Sequence, residues 1–421
     1  MSEFLDLNPS HVFWEILKKN IKIKVTSTEI VNFKDSINRV LAEDIYSPEN
    51  LPPFNRSTVD GFAVRAIDTS GASSSLPTYL EVTGEIEMGN RAEMKINTGE
   101  AVRIATGGML PSGADAVIMI EYTDYLDDST IETANAVAPG ENVVWKGEDI
   151  KKGDLLLSEG HLIRPQDAGA LAGLGVVEVK VYKKPVVAII STGDELVSPE
   201  TVPAPGKIRD INSYSLGAVI ENNGGISKYI GIVDDSFIHL KEAVQSSLDS
   251  DLILISGGSS VGVKDMTIDV LNSLGEPGVL LHGIAIKPGK PTILALIEGT
   301  PVMGLPGHPA SSWTITHNLV RPLVIMRSGR GDNFRSDLNF QKKARAVLER
   351  NLVSDKGREE YVPVKLILPK KNNRDDLKYI AQPITGKSSL ITTLVQADGF
   401  IKIETFKEGL NKGDQVDVVV F

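Results

Sequence analysis

Apolar residues recur at helical spacing at the start of the chain, first as Val12, Phe13, Ile16 and Leu17 and then as Ile37, Val40 and Leu41. This spacing predicts two short amphipathic helices. Pro48, Pro52 and Pro53 end any helix there. Between about Tyr79 and Tyr125 the period shortens to two, in runs such as Tyr79-Leu80-Glu81-Val82 and Ala116-Val117-Ile118-Met119-Ile120 separated by Gly and Asn turns. That text predicts a small β domain inserted after the first helices. A strand over residues 154–158, a helix over 166–174 rich in Ala, Gly and Leu, and a strand over 176–182 follow, and bring the chain back to its first helices.

From Pro185 to about Arg330 the period alternates between strand and helix. The apolar runs Val186-Val187-Ala188-Ile189-Ile190 and Leu252-Ile253-Leu254-Ile255 read as buried strands, with another strand over 229–233 and helices over 213–222 and 236–248. Buried strands alternating with helices of this length predict a parallel α/β sheet. From about Phe340 onward, alternating segments at 344–348, 361–368, 399–404 and 415–420 predict a small C-terminal β barrel or sandwich. The fold class is therefore a multidomain protein of α/β and β parts. We found no convincing internal repeat.

Composition changes this picture in two ways. The 421 residues carry 44 Lys plus Arg against 55 Asp plus Glu, a net charge of -11, which argues against a sequence-independent grip on nucleic acid. The chain has no cysteine, which removes disulfides, Cys-ligated metals and thiolate nucleophiles, so any sulfur chemistry belongs to a substrate. The first 25 residues hold no uncharged stretch long enough for a signal peptide or membrane span, and the expected location is cytoplasmic.

In a parallel α/β sheet, ligands bind beyond the carboxyl ends of the strands. Four loops fall there: Thr192 to Glu195, Ser256 to Asp265, Lys287-Pro288-Gly289-Lys290-Pro291, and Gly304 to Ser312. The second contains Ser256, Gly257, Gly258, Ser259, Ser260 and Gly262, small enough to bring backbone amides against a phosphate, or simply to make a tight strand-helix turn. Asp265 closes it with a carboxylate suited to Mg2+. Lys287 and Lys290, fixed by prolines, form either an oxyanion site or a solvated turn. In the fourth loop Pro306, Gly307 and Ser311 precede an apolar helix that the serines cap, with amides available to a second anion. The six histidines show no zinc spacing, and Walker and dinucleotide fingerprints are absent.

Taken in order, segments along nearly the whole chain resemble the molybdopterin molybdenumtransferase family, which inserts molybdenum in the last step of molybdenum-cofactor synthesis. They are Asn55 to Arg65, Ile104 to Gly108, Pro111 to Val117, Gly147-Glu148-Asp149-Ile150, Ser191 to Leu196, the Ser256 to Thr267 loop, Ala285 to Pro291, Gly304 to Ser311, Gly357-Arg358-Glu359-Glu360-Tyr361 and Ala397-Asp398-Gly399. The resemblance implies an elongated helical and dimerisation domain (residues 1–50 plus 145–182), an inserted β domain (51–144), a central α/β molybdopterin-binding domain (183–330) and a C-terminal β-barrel-like domain (331–421). It implies a homodimer whose site is shared between chains and a molybdopterin adenylyltransferase as a further partner, while the acidic balance and the charged N-terminal stretch predict no nucleic-acid or membrane partner.

The reaction implied takes adenylylated molybdopterin and molybdate, cleaves the phosphoanhydride in an Mg2+-dependent step, leaves molybdenum on the substrate's dithiolene and releases AMP. Ser256 to Thr267 then matches the pterin-nucleotide loop, with Asp265 and Glu195 as magnesium-linked acids. Lys287, Lys290, Ser311, Arg358 and Ser388 match oxyanion or phosphate positions. Asp60, Thr106 and Asp149 match motif positions outside the central domain, and the Asp234-Asp235 doublet stands where the family has an acid. The chain departs from the pattern at His308 (usually Asn), at Ala310 (usually Val) and after Tyr361, where Val362 replaces the expected Arg. Tungstate in place of molybdate, an adenylyltransferase, and a non-catalytic pterin scaffold are the alternatives.

Overall fold

The computed structural model describes residues 7–21, 25–257, 261–330, 342–369 and 379–421, and for residues 261–265 the backbone only. Its contacts divide into two units, one of residues 1–29, 38–40 and 181–421, the other of residues 30–37 and 41–180. The first predicted helix forms as α1 (Ser10–Asn20) and buries Phe13 and Leu17, the i and i+4 positions of its apolar stripe. These side chains sit in the core of the central α/β region with Val187, Leu252 and Leu323. The second predicted helix is absent. Phe33–Asp35 makes a single 3-10 turn, and Val40 and Leu41 are extended bridge residues. The backbone N–H of Leu41 donates to the carbonyl of His161 at 3.0 Å, so long-range pairing overrides a helical period seen in only three residues.

The second unit is built on a six-stranded sheet of β1 (Gly61–Val64), β2 (Thr78–Ile86), β3 (Glu100–Ile104), β4 (Ala116–Met119), β5 (Thr123–Tyr125) and β6 (Thr130–Thr133), in the order β4-β1-β3-β2-β6-β5. Both faces are covered. Phe62, Leu80, Ile118 and Ile131 pack on one side, and Ala63, Val102, Ile104 and Val117 on the other. Helix α2 (Pro165–Gly173) follows in the same unit. It starts at Pro165, where the missing N–H costs nothing, and the Asp167 carboxylate accepts from the backbone N–H of Arg164 at 2.8 Å. The Arg164 guanidinium on that carboxylate holds it well below the usual carboxylate range.

In the first unit, β7 (Val186–Thr192), α3 (Asn212–Asn222), β8 (Ile226–Val233), α4 (Phe237–Gln245), β9 (Leu252–Gly257) and α5 (Val261–Ser273) follow the predicted alternation. They are completed by β10 (Gly278–His282), the short β11 (Ile286–Lys287), β12 (Ile293–Ile297), β13 (Thr300–Leu305), α6 (Pro309–Ile315) and α7 (Arg321–Arg327). The central sheet runs β8-β7-β9-β13-β12-β10. Its β8, β7, β9 and β13 are parallel, whereas β12 is antiparallel to both neighbours, so the sheet is mixed. A two-residue turn between Ile297 and Thr300 leaves no room for a crossover helix, which makes the β12-β13 pair a hairpin.

The C-terminal strands β14 (Lys343–Leu348), β15 (Glu359–Ile367), β16 (Tyr379–Pro383), β17 (Gly399–Ile403) and β18 (Gln415–Val420) close into a barrel through the ring β15-β16-β14-β18-β17-β15. Alternate residues Ala346, Leu348, Val364, Ala381, Ile401 and Val418 fill it. Strand β11 of the central region pairs in parallel with β15, placing Lys287 beside Glu360.

Candidate functional site

At the carboxyl end of the central sheet, Thr192 and Ser256 stand on neighbouring strands next to Gly257. Gly257 has φ +130, and a Cβ there would lie 1.9 Å from the carbonyl oxygen of Thr192, so only glycine lets these strand ends approach. The Thr192 hydroxyl donates to Asp235 at 2.6 Å, and the backbone N–H of Asp235 donates to the Asp194 carboxylate at 3.1 Å. Asp234 turns outward, 3.4 Å from the exposed His239 ring. Of the acidic doublet, Asp235 therefore belongs to the cleft. Glu195 is exposed, and its carboxylate folds back over Gly193.

One residue at this end carried no sequence signal of its own. Asn212, the first residue of α3, is buried, and its amide N–H group donates both to the Ser256 hydroxyl at 2.8 Å and to the Gly307 carbonyl at 2.9 Å. It ties the loop after β9 to the loop after β13. Gly258, Ser259 and Ser260 lie outside the described residues, as do the side-chain surroundings of Gly262 and Asp265 in α5. Among the described residues no group of three or more His, Asp or Glu side chains is placed to hold a metal ion.

The Gly304 to Ser312 loop also borders a second feature. Pro306 is buried just after β13, and beyond it Ala310 and Ser311 line an open cavity of about 750 Å3 between the central region and the barrel. Lys287, Lys290, Arg358 and Ser388 line the same cavity. All five residues singled out as oxyanion positions, Lys287, Lys290, Ser311, Arg358 and Ser388, thus converge from both ends of the first unit, while Gly307 of the same loop is held by Asn212. Arg350 and Lys387 complete the cationic lining, against one lining carboxylate, Glu360. Four aromatic side chains, Trp313, Tyr361, Phe400 and Phe421, also line it, with the Trp313 and Phe421 rings 4.3 Å apart edge to face. Apolar walls strengthen the field of the cations that share the lining.

Local geometry fixes these groups. Gly289, between the two lysines, has φ +142, and a Cβ there would lie 2.5 Å from the Ile315 side chain. The Thr292 hydroxyl clamps the Gly289 carbonyl at 2.7 Å, and the Ile284 N–H donates to the Lys290 carbonyl at 3.0 Å. The lysine pair is not bare, however. Lys287 lies 3.1 Å from Glu360 and 3.5 Å from Asp355, and Arg358 pairs with Asp355 at 3.1 Å. Lys290 has no carboxylate partner among the described residues. Ser388 is held by its carbonyl, which accepts from the N–H of Ala310 at 3.1 Å, and its hydroxyl lies 3.2 Å from the Nδ1 of His308. The substitution of His308 for Asn therefore places a ring directly against a candidate anion ligand.

In the second unit, Asp60 and Thr106 come together. The Asp60 carboxylate accepts from the backbone N–H of Thr106 at 2.7 Å and from its hydroxyl at 3.0 Å. The N–H first and the hydroxyl second hold this exposed carboxyl below its ordinary value. Asp149 is exposed, with its backbone N–H bonded to the Leu51 carbonyl at 3.1 Å.

Comparison with known proteins agrees along the chain. Family models match residues 11–175 as the MoeA N-terminal region (domain I and II), 188–325 as "Probable molybdopterin binding domain" and 345–421 as the MoeA C-terminal region (domain IV). A molybdopterin molybdenumtransferase of Haemophilus influenzae is 33% identical over 397 residues, covering 94% of this chain and 94% of that protein. One of Bacillus subtilis is 33% identical over 405 residues, covering 94% and 90%. The crystal structure of a molybdopterin biosynthesis MoeA protein from Pyrococcus horikosii superposes with a TM-score of 0.82 at 38% identity, covering 98% of this chain and 99% of that one. With three successive domain models and full-length relatives above 30% identity, the chain belongs to the MoeA family.

Proposed function

We propose that this protein is a molybdopterin molybdenumtransferase, which takes adenylylated molybdopterin and molybdate, leaves molybdenum on the pterin dithiolene and releases AMP. The observation that carries this reading is the cationic cavity, in which Lys287, Lys290, Ser311, Arg358 and Ser388 share a lining with four aromatic side chains. A tetrahedral dianion suits such a set, because fixed cations and a hydroxyl need little reorganisation to hold it. The loop from Gly304 to Ser312 runs from the Asn212 clamp at the sheet end to this cavity, which suits a substrate whose nucleotide lies over the sheet and whose metal-accepting end reaches the oxyanion. On this reading Lys290 and Arg358 orient the oxyanion, and Thr192, Asp235 and the Ser256 loop border the nucleotide.

Several finer parts rest on the family resemblance. Mg2+ would engage Asp265 and Glu195, where it would neutralise charge on the phosphoanhydride. Asp60, Thr106 and Asp149 would act in a site shared across a homodimer. The four-domain division and an adenylyltransferase supplying the substrate belong to the same reading. Among the described residues no helix is long and apolar enough to cross a membrane, and we place the protein in the cytoplasm.

The test is AMP release from adenylylated molybdopterin, with molybdate and tungstate in parallel, on wild type, Lys290→Ala and Asp265→Ala, with and without a chelator. Oxyanion-dependent release that falls in both variants supports the reading. Tight pterin binding without oxyanion-dependent release would favour a carrier instead.

A further inference from the structure

The parallel pairing of β11 with β15 sets Ile286 beside Glu359 and Lys287 beside Glu360. Neighbouring residues of a strand point to opposite faces, and the two glutamates separate accordingly. Glu359 is buried and accepts from the Ser10 hydroxyl at 2.8 Å and the Tyr361 hydroxyl at 3.1 Å, with the Lys402 ammonium also 3.1 Å away. Glu360 faces the cavity. Its side chain is only 15% exposed, one oxygen accepts from the buried Ser354 hydroxyl at 2.6 Å, and the other lies 3.1 Å from the Lys287 ammonium. Among the described residues it is the only carboxylate in the lining, which also holds five cations.

We propose that Glu360 is a counter-anion built into the oxyanion cavity. It pairs with Lys287 while the cavity holds no oxyanion, and it competes with an incoming tetrahedral dianion for that ammonium. The Ser354 hydroxyl holds the carboxylate in place, and a bound dianion therefore meets the partly buried charge of Glu360 at close range, whereas Asp355, the other carboxylate near Lys287 at 3.5 Å, is 68% exposed and screened by water. The consequence is a cavity that binds its oxyanion reversibly and releases it to the acceptor, with Lys290, free of any carboxylate among the described residues, supplying the uncontested contact. Glu360 is thus a positioning and affinity-setting residue, and the proposal rests on the cavity being an oxyanion site.

The experiment is equilibrium binding and dissociation kinetics of molybdate alone on the full-length protein, wild type against Glu360→Gln. The glutamine keeps the shape and the Ser354 contact but removes the charge. The expected result is about tenfold tighter binding with most of the change in the dissociation rate. A structural role for Glu360 predicts the opposite sign, because a disturbed Lys287 only weakens binding, so equal or weaker affinity overturns the proposal. If the glutamine variant does not fold, Glu360→Asp withdraws the same charge by one methylene, and tighter binding supports the proposal while unchanged or weaker binding overturns it. Molybdate binding to neither wild type nor variant overturns the oxyanion reading of the cavity itself, whereas binding to wild type with no gain in the variant overturns only the role of Glu360.

Discussion

The side-chain amide of Asn212 donates to the carbonyl of Gly307 at 2.9 Å, across 95 residues of sequence, and to the Ser256 hydroxyl at 2.8 Å. Ser256 stands at the end of β9, and Gly307 lies in the loop after β13. Removing the amide leaves a buried hydroxyl and a partly buried carbonyl unpaired, which costs about 1–3 kcal/mol. Asn212→Ala is expected to lose about 2 kcal/mol in urea unfolding, and Asn212→Asp at least as much, since a carboxylate then faces the Gly307 carbonyl.

The acidic doublet separates in space, and its two members are expected to separate in function. Asp235 accepts from the Thr192 hydroxyl in the cleft, whereas the Asp234 side chain is 74% exposed. Asp235→Asn is expected to lower kcat/KM for the adenylylated pterin by about tenfold or more, equivalent to the loss of one good charged hydrogen bond. Asp234→Asn should stay within about twofold, the usual range for an exposed substitution. Equal effects from the two variants would refute the assignment.

His317 makes stability depend on pH. Its ring is stacked on Trp313 at 4.9 Å and meets Phe400 edge to face, and its buried Nδ1 has no hydrogen-bond partner among the described residues. Burial, with a smaller contribution from the Arg321 guanidinium, pushes its pKa down to about 3. In the unfolded chain the same ring takes a proton near pH 6.5. Between these values the unfolded state binds the extra proton, so stability rises with pH there. The native state is expected to hold its full stability above about pH 6.5 and to lose a few kcal/mol as the pH falls toward 3. His317→Phe should flatten urea-unfolding free energy across that window. A slope that survives the substitution would assign it to other groups.

Asp60 and Thr106 form a measurable pair even in isolation. Thr106→Val keeps the backbone N–H, the larger cause of the lowered Asp60 pKa, and removes the hydroxyl. NMR titration is expected to place the wild-type carboxyl below its ordinary value and the variant closer to it. An unchanged titration would mean that the hydroxyl contributes nothing in solution.

Much of the fold was legible in local patterning. The apolar runs at 186–190 and 252–255 became β7 and β9, the helical stripe at Val12 to Leu17 became α1, and the alternating C-terminal segments became β14, β15, β17 and β18. These are segments whose period is sustained and whose faces are both buried or cleanly divided. Ile37, Val40 and Leu41 misled because three residues fit a helical period by accident, and pairing with distant backbone costs the chain nothing extra once the neighbours are in place. The hairpin that turns β12 against the rest of the sheet depended on a two-residue turn, Glu298-Gly299, with Glu298 at φ +49 and Gly299 at φ +86.

The sequence by itself determined the order of helices and strands, the four loops at the strand ends, and the cations and hydroxyls available for chemistry, because period, turn residues and side-chain type are local properties. The tertiary structure decided which of those groups face one another. That Lys287 carries a carboxylate while Lys290 does not follows from the register of β11 on β15. That Asp235 rather than Asp234 enters the cleft follows from the reach of Thr192, and that Asn212 joins two loops follows from α3 starting between their strands. Each is a contact between residues distant in sequence, set by strand register and close packing, and neither leaves a periodic trace along the chain.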